Sequence, residues 1–201
     1  MLALNEAEGL SSVILRPPRE GSVFPDTYYY TKGMDRREIL ATMQEKMEIT
    51  LAQIWAERRE NLPYKSPRDL LIMASIIEKE TGRAGERRLV SGVFVNRLRK
   101  KMRLQSDPTV AYGLVRDAAL PTKLTKKDLN NPHSWNTYRM RGLPIGPIAN
   151  PGADALQAAA NPEVTKYLYF VADGKGGHNF AKTLDAHNRN VRTYRKLKSP
   201  D

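Results

Sequence analysis

Cysteine is absent from the 201-residue chain. That excludes a disulfide framework, a thiolate metal site and a cysteine nucleophile. It leaves the compartment open, since a thiol-free chain suits cytosol and periplasm alike. Long apolar runs are missing too. The longest, Leu70 to Ile77, falls far short of the roughly 20 residues that span a bilayer. The opening MLALNEAEGL has no basic segment leading into an apolar one, so it does not read as a signal peptide. Neither G-x-x-x-x-G-K-S/T nor a G-x-G-x-x-G opening a helix after a strand occurs, and G-x-S-x-G is absent. The histidines His133, His178 and His187 show no metal-ligand spacing, so neither metal nor cofactor is expected. Acidic charge is scarce: 22 Asp+Glu face 33 Lys+Arg, for a net charge of +11. The imbalance predicts an anionic partner or surface, with nucleic acid, anionic lipid and cell-wall polymer all compatible.

What is present is an ordinary globular composition, 40% hydrophobic and 27% charged, long enough for one domain or two small ones. Val13 to Leu15 and the aromatic stretch Thr27 to Thr31 read as a small β element among turn residues. Ile39, Met43, Met47, Leu51, Ile54 and Trp55 recur at helical spacing and predict an amphipathic helix over 35–61, with Asp35 as N-cap and Glu38 completing a capping box. Ser66, Pro67 and Asp69 start a second helix whose Leu70–Ile77 run is apolar nearly all round, and Gly82 ends it. A third helix is expected over 86–102, with Leu89, Val93, Phe94 and Leu98 as its buried stripe and Arg87, Arg88, Arg97, Arg99, Lys100 and Lys101 mostly outside. Prolines and glycines then make 103–152 an irregular segment, of the kind that is either functional or disordered, and its Tyr, Leu and Ile argue for order. A short helix over 152–160, a hairpin over 167–183 and a basic helix over 184–197 complete the chain. The expected class is α+β, with three or four helices packed on a small antiparallel sheet that includes this C-terminal hairpin.

Glu78 is the carboxylate of interest. It shares a helix face with Leu71, Ala74 and Ser75, whereas Glu80 lies about 200° further round and must point elsewhere. A carboxyl at the end of an apolar helix is desolvated, and desolvation raises its pKa toward that of a general acid. Position alone favours a plainer reading, in which Glu78 emerges at the helix end and pairs with Lys79, Arg83 or Arg87. Gln105 and Asp107 in LQSDPT, with Asn136 and Tyr138 in NTY, could line one polar cleft. Polar groups held on rigid Pro/Gly backbone beside aromatics suit a sugar polymer.

EGSVFPDTYY, ASIIEKET, VFVNRLRKKMRLQSDPTVAYG, NTYRMRGLPIGPIANPG, AAANP and YLYFVADGKGGHNFAKTLDAHN occur in this order. Together they resemble the endolytic murein transglycosylases of the YceG-like family, over roughly residues 20–195. The resemblance implies cleavage within peptidoglycan glycan strands, between N-acetylmuramic acid and N-acetylglucosamine, leaving a 1,6-anhydromuramyl end. It implies a catalytic glutamate in ASIIEKET, matched here to Glu78. Beside it, the polar groups Gln105, Asp107, Asn136 and Tyr138 are assigned to binding or supporting the sugar. The resemblance implies a cell-envelope protein anchored in the cytoplasmic membrane and facing the periplasm or outer surface, near peptidoglycan synthases. It also implies a LysM-like module ahead of the catalytic region. On that comparison residues 1–34 read as a remnant of the module and its linker and 35–201 as the catalytic domain, with membrane contact only through an anchor that the sequence does not show.

Two rivals stand beside this reading. A nucleic-acid-binding domain would account for the charge, but it requires aromatics interleaved with Arg and Lys, and TYYY and YLYF are not. Nucleic acid is therefore not expected as a partner. A non-catalytic wall-binding or scaffold module is the alternative.

Overall fold

The computed structural model describes residues 4, 6–14, 16–114 and 124–198. Helix α1 spans Arg36–Ala56, with the Asp35 carboxylate accepting from the Arg37 N–H at its start. Ile39, Met47 and Ile54 form its buried stripe. It ends short of the expected Asn61. Glu57 closes it, the Arg58 guanidinium folds over the Trp55 ring, and the Arg59 N–H turns away to the Ala160 carbonyl.

Helix α2, Pro67–Glu80, begins as the sequence predicts: Ser66 caps it and Pro67 fills the first turn, where its missing N–H costs nothing. Every residue from Ile72 to Ile77 is buried, so α2 is the centre of the core. A 3-10 turn over Ala84–Glu86 leads into α3, Arg87–Arg99. Short helices α4 (Asp107–Leu114) and α5 (Lys126–Asn130) lie inside the stretch expected to be irregular. Asp107-Pro108 there starts a helix, Pro108 falling in its first turn. Helix α6, Ala153–Ala160, presents Ala155, Leu156, Ala158, Ala159 and Ala160 inward and packs closely on α2, the small residues letting the two backbones approach.

Strands β1 (Tyr169–Ala172) and β2 (His178–Ala181) form an antiparallel hairpin, with Tyr169 opposite Ala181 and Ala172 opposite His178. Its turn is made by Gly174 and Gly176, both at positive φ, and by the Asp173 carboxylate, which accepts from the Lys175 and Gly177 N–H groups. Helix α7, Leu184–Lys198, lies across the hairpin and α3 touches β1, while α1, α2 and α6 pack on one another. The class is α+β, as expected.

The anticipated β element near the N-terminus is not formed among the described residues. One isolated parallel bridge, Ser11 to Asp35, stands in its place. The tyrosines take other partners: the Tyr28 hydroxyl donates to the Phe24 carbonyl and the Tyr30 hydroxyl to the Glu8 carbonyl. Leu15 of the Val13–Leu15 run, and Lys123 of the basic stretch before α5, lie outside the described residues.

The loop after α6 crosses α3 at Gly92, where a Cβ would sit 2.4 Å from the Glu163 carbonyl oxygen. Gly92→Ala should therefore destabilise the fold by about 1–3 kcal/mol, the usual cost of overpacking. Urea unfolding monitored by circular dichroism reads the loss directly.

Candidate active site

The last turn of α2 sends two carboxylates in different directions. Glu78 turns toward α6, where its Oε2 accepts from the Gly152 N–H at 3.2 Å. Gly152 is the N-cap of α6 and has no side chain with which to cap it. Glu78 thus places a carboxylate at the helix N-terminus, where free N–H groups and the dipole both favour one.

Glu80 turns the other way, into a cavity of about 540 Å³. Its Oε1 accepts a hydrogen bond from the Ser106 hydroxyl at 2.5 Å. Desolvation of the carboxyl is the dominant influence on its proton affinity; the Ser106 bond works against it, the charge of Asp107 adds to it, and Arg97 opposes. The balance pushes Glu80 up to about 7. The physical argument that the sequence attached to Glu78, a carboxyl desolvated at the end of an apolar helix, is met at Glu80.

Gln105, Asp107 and Tyr138 line the same cavity. The Tyr138 hydroxyl donates to Asp107 Oδ1 at 2.5 Å. Burial first, then this bond and the charge of Asp107, raise the phenol above its ordinary range. Gln105 adopts a left-handed backbone at φ 53°, uncommon for a residue other than glycine, and its Oε1 faces the Arg97 guanidinium at 3.3 Å. Asn136 is elsewhere. It is fully buried, its amide donates to the Leu129 and Asn131 carbonyls, and its Oδ1 accepts from the Tyr138 N–H. It shapes the loop that presents Tyr138, and the cavity does not include it.

Sequence reasoning missed several participants. Ser106, Thr109 and Thr137 form a buried hydroxyl network that joins the start of α4 to the 136–138 loop: the Ser106 N–H donates to Thr137 Oγ1, Thr109 Oγ1 donates to the Ser106 carbonyl, and the two threonine hydroxyls meet at 2.8 Å. Arg97 was assigned to the exposed side of α3 and is instead buried. Its guanidinium donates to the Leu168 carbonyl at 2.6 Å and the Leu104 carbonyl at 2.7 Å, and desolvation lowers its pKa. The far wall comes from the hairpin and α7: Tyr169, Phe170, His178, His187 and Asn188. Ser106 and Thr137 stand inside LQSDPT and NTY, and His178 and His187 inside the last matching segment, so position in a motif was the available signal. Among the described residues no three His, Asp or Glu side chains gather as a metal site requires, and no helix is long and apolar enough to cross a membrane.

The fold is an α+β scaffold whose cavity holds a desolvated carboxyl with its pKa raised to about 7. The model of the YceG-like family matches residues 3–193, and the chain belongs to that family. It is 38% identical over 183 residues to the endolytic murein transglycosylase of Bacillus subtilis (strain 168), a match covering 90% of this chain and 49% of that protein. It is 32% identical over 183 residues to the endolytic murein transglycosylase of Streptococcus pneumoniae serotype 2, covering 86% of this chain and 31% of that one. The crystal structure of a YceG-like protein from Listeria monocytogenes superposes with a TM-score of 0.72 at 37% identity, covering 84% of this chain and 53% of that one. The chain thus spans about half the length of the first relative and about a third of the second.

A carboxyl raised in the folded state ties stability to pH. Between the usual carboxylate range and about 7 the folded protein holds the Glu80 proton and the unfolded chain does not, so stability falls as pH rises through that window. Glu80→Gln keeps an acceptor for Ser106 and has no charge to desolvate. It should be more stable than wild type near pH 8, by about 1–2 kcal/mol after allowance for the open side of the cavity, and the gap should shrink near pH 5. Thermal unfolding at the two pH values measures it.

Proposed function

We propose that residues 35–201 form the catalytic region of an endolytic lytic transglycosylase of the bacterial cell envelope, acting on the glycan strands of peptidoglycan, with 1–34 leading into it. The observation that carries this reading is the Glu80 carboxyl, desolvated and proton-holding, in a cavity that also presents Asp107, Tyr138 and Gln105. The names of the relatives, endolytic murein transglycosylases, point the same way.

A transglycosylase of this kind needs one carboxyl rather than the two of ordinary glycoside hydrolysis, because the sugar supplies its own nucleophile. Protonated Glu80 gives its proton to the glycosidic oxygen between N-acetylmuramic acid and N-acetylglucosamine as the bond to C1 breaks. The C6 hydroxyl of the muramic acid closes on C1, and the Glu80 carboxylate takes the hydroxyl proton. The products are a 1,6-anhydromuramyl end and a free 4-hydroxyl, with Glu80 restored to its acid form. Desolvation, to which the charge of Asp107 adds, keeps Glu80 protonated; Asp107 also holds the Tyr138 hydroxyl, and Gln105 and Tyr138 contact the sugar. This assigns to Glu80 the role first expected of Glu78 and leaves Asn136 with a structural one.

Purified variants incubated with peptidoglycan, with the products read by mass spectrometry, separate the two glutamates. Glu80→Gln should lose about 10²–10⁴-fold of the rate of anhydromuropeptide release. Glu78→Gln should stay within about tenfold of wild type, since it weakens a helix cap and removes no acid. Wild-type rates from Glu80→Gln, with an inactive Glu78→Gln, would return the acid to Glu78. A wild type that binds sacculi and releases no product would favour a binding module instead.

A further inference from the structure

The cavity continues beyond the groups that surround Glu80. Strand β1 runs along it from Tyr169, beside Arg97, to Ala172, beside His178, about 10 Å at roughly 3.3 Å per residue. Two arrangements along this wall, one at either end of β1, have no part in the chemistry proposed above. One is a clamped imidazole. Glu86 holds His178 twice, Oε1 accepting from its main-chain N–H at 3.1 Å and Oε2 meeting Nδ1 at 2.7 Å. In the neutral ring a carboxylate partner puts the proton on Nδ1 and leaves Nε2 as a lone-pair acceptor. The His178 side chain keeps 14% of its surface exposed, and no hydrogen bond within the described residues uses Nε2. Gly177 makes the clamp possible, because a Cβ there would fall 2.6 Å from Glu86 Oε1.

The other is a stacked pair. The His187 and Tyr169 rings lie 5.3 Å apart at 24°. Desolvation, and secondly the charge of Arg97, hold His187 below its ordinary pKa, so the ring is neutral at neutral pH. Asn188 follows it on the cavity wall. Among the described residues that line the cavity the one permanent cation is Arg97, and that guanidinium is committed to backbone carbonyls. A carboxylate-bearing ligand therefore finds no uncommitted charge partner among them. Flat neutral rings, a fixed acceptor and an amide match the hydroxyls and acetamido group of an uncharged pyranose.

We infer that the wall of the cavity formed by β1 and α7 binds the strand beyond the cleaved bond, with the Tyr169–His187 stack and Asn188 at one end of β1 and His178, clamped by Glu86, at the other holding the amino sugars that continue from the one whose bond is cleaved at Glu80. The inference rests on the proposed glycan-strand reading and extends it. A strand cut internally continues on both sides of the broken bond, and this is where the continuation lies.

The test is calorimetric titration of glycan strands, stripped of stem peptides, into the Glu80→Gln protein and into His178→Ala, Asn188→Ala, His187→Ala and His187→Phe made in that background. The first three substitutions should each weaken binding, His178→Ala and His187→Ala by at least tenfold. His187→Phe should recover most of the loss, because the buried Nδ1 of His187 has no partner to forfeit and the ring face is restored. A merely structural role would not give this recovery pattern together with unchanged thermal unfolding. Should His187→Ala fail to fold, His178→Ala and the exposed Asn188→Ala carry the test. Wild-type affinity in His178→Ala and His187→Ala overturns the subsite, as does binding only by strands that keep their stem peptides. If Glu80→Gln itself cleaves the strands, the catalytic assignment fails, and the same substitutions in the wild-type background are read as a rise in KM.

Discussion

The buried guanidinium of Arg97 joins three segments that no helix-to-helix packing would bring together. It sits on α3, donates to the carbonyls of Leu104 and Leu168, and lies 5.2 Å from the centre of the Tyr169 ring. Those carbonyls belong to the irregular segment before α4 and to the residue before β1. Without such a donor both would be buried backbone acceptors in want of a partner, each costing about 1–3 kcal/mol. A lysine could not replace it, because a point charge with a single nitrogen cannot reach carbonyls on two sides at once. The cavity is the space between the segments that Arg97 holds at fixed separation.

Around that frame the protein keeps its polar groups in defined states by pairing them locally. Ser106 orients the Glu80 carboxyl, and the Thr109 and Thr137 hydroxyls orient Ser106 through its backbone. Asp107 holds Tyr138. The hydroxyl network is buried, so each member is in a medium where an unmade hydrogen bond is costly and a made one is directional. Fixed geometry of this kind lets a carboxyl meet a substrate oxygen without reorganising first.

Much of the fold was legible in the sequence. Ser66-Pro67 marked the start of α2, the Leu70–Ile77 run its burial, and YLYFVA with DGKGGH the hairpin, because caps, periodicity and turn chemistry are local signals. The site was legible only in part. Gln105, Asp107 and Tyr138 were placed in one cleft from their neighbours in the chain. Arg97 was misjudged because a charged residue on a basic helix is ordinarily solvated, and only tertiary structure supplies the carbonyls that make its burial possible. Asn136 lies buried outside the cavity, and an amide looks the same in a sequence whether it faces a ligand or its own loop. The choice between Glu78 and Glu80 depended on which side of α2 is covered by α6 and which by the cavity, and helical periodicity gives the angle between the two residues without saying what lies on either side.

Glu78 and Glu80 use one helical turn for two unrelated tasks, one closing the N-terminus of α6 and the other facing the cavity. Their directions are set by counting residues from Ser66, where the helix begins. Adding or removing a single residue between these points would rotate both carboxylates by about 100° and misdirect them together. The interval from Ser66 to Glu80 is therefore free to drift in composition at its exposed positions, yet fixed in length: an indel there is forbidden even where a substitution is not.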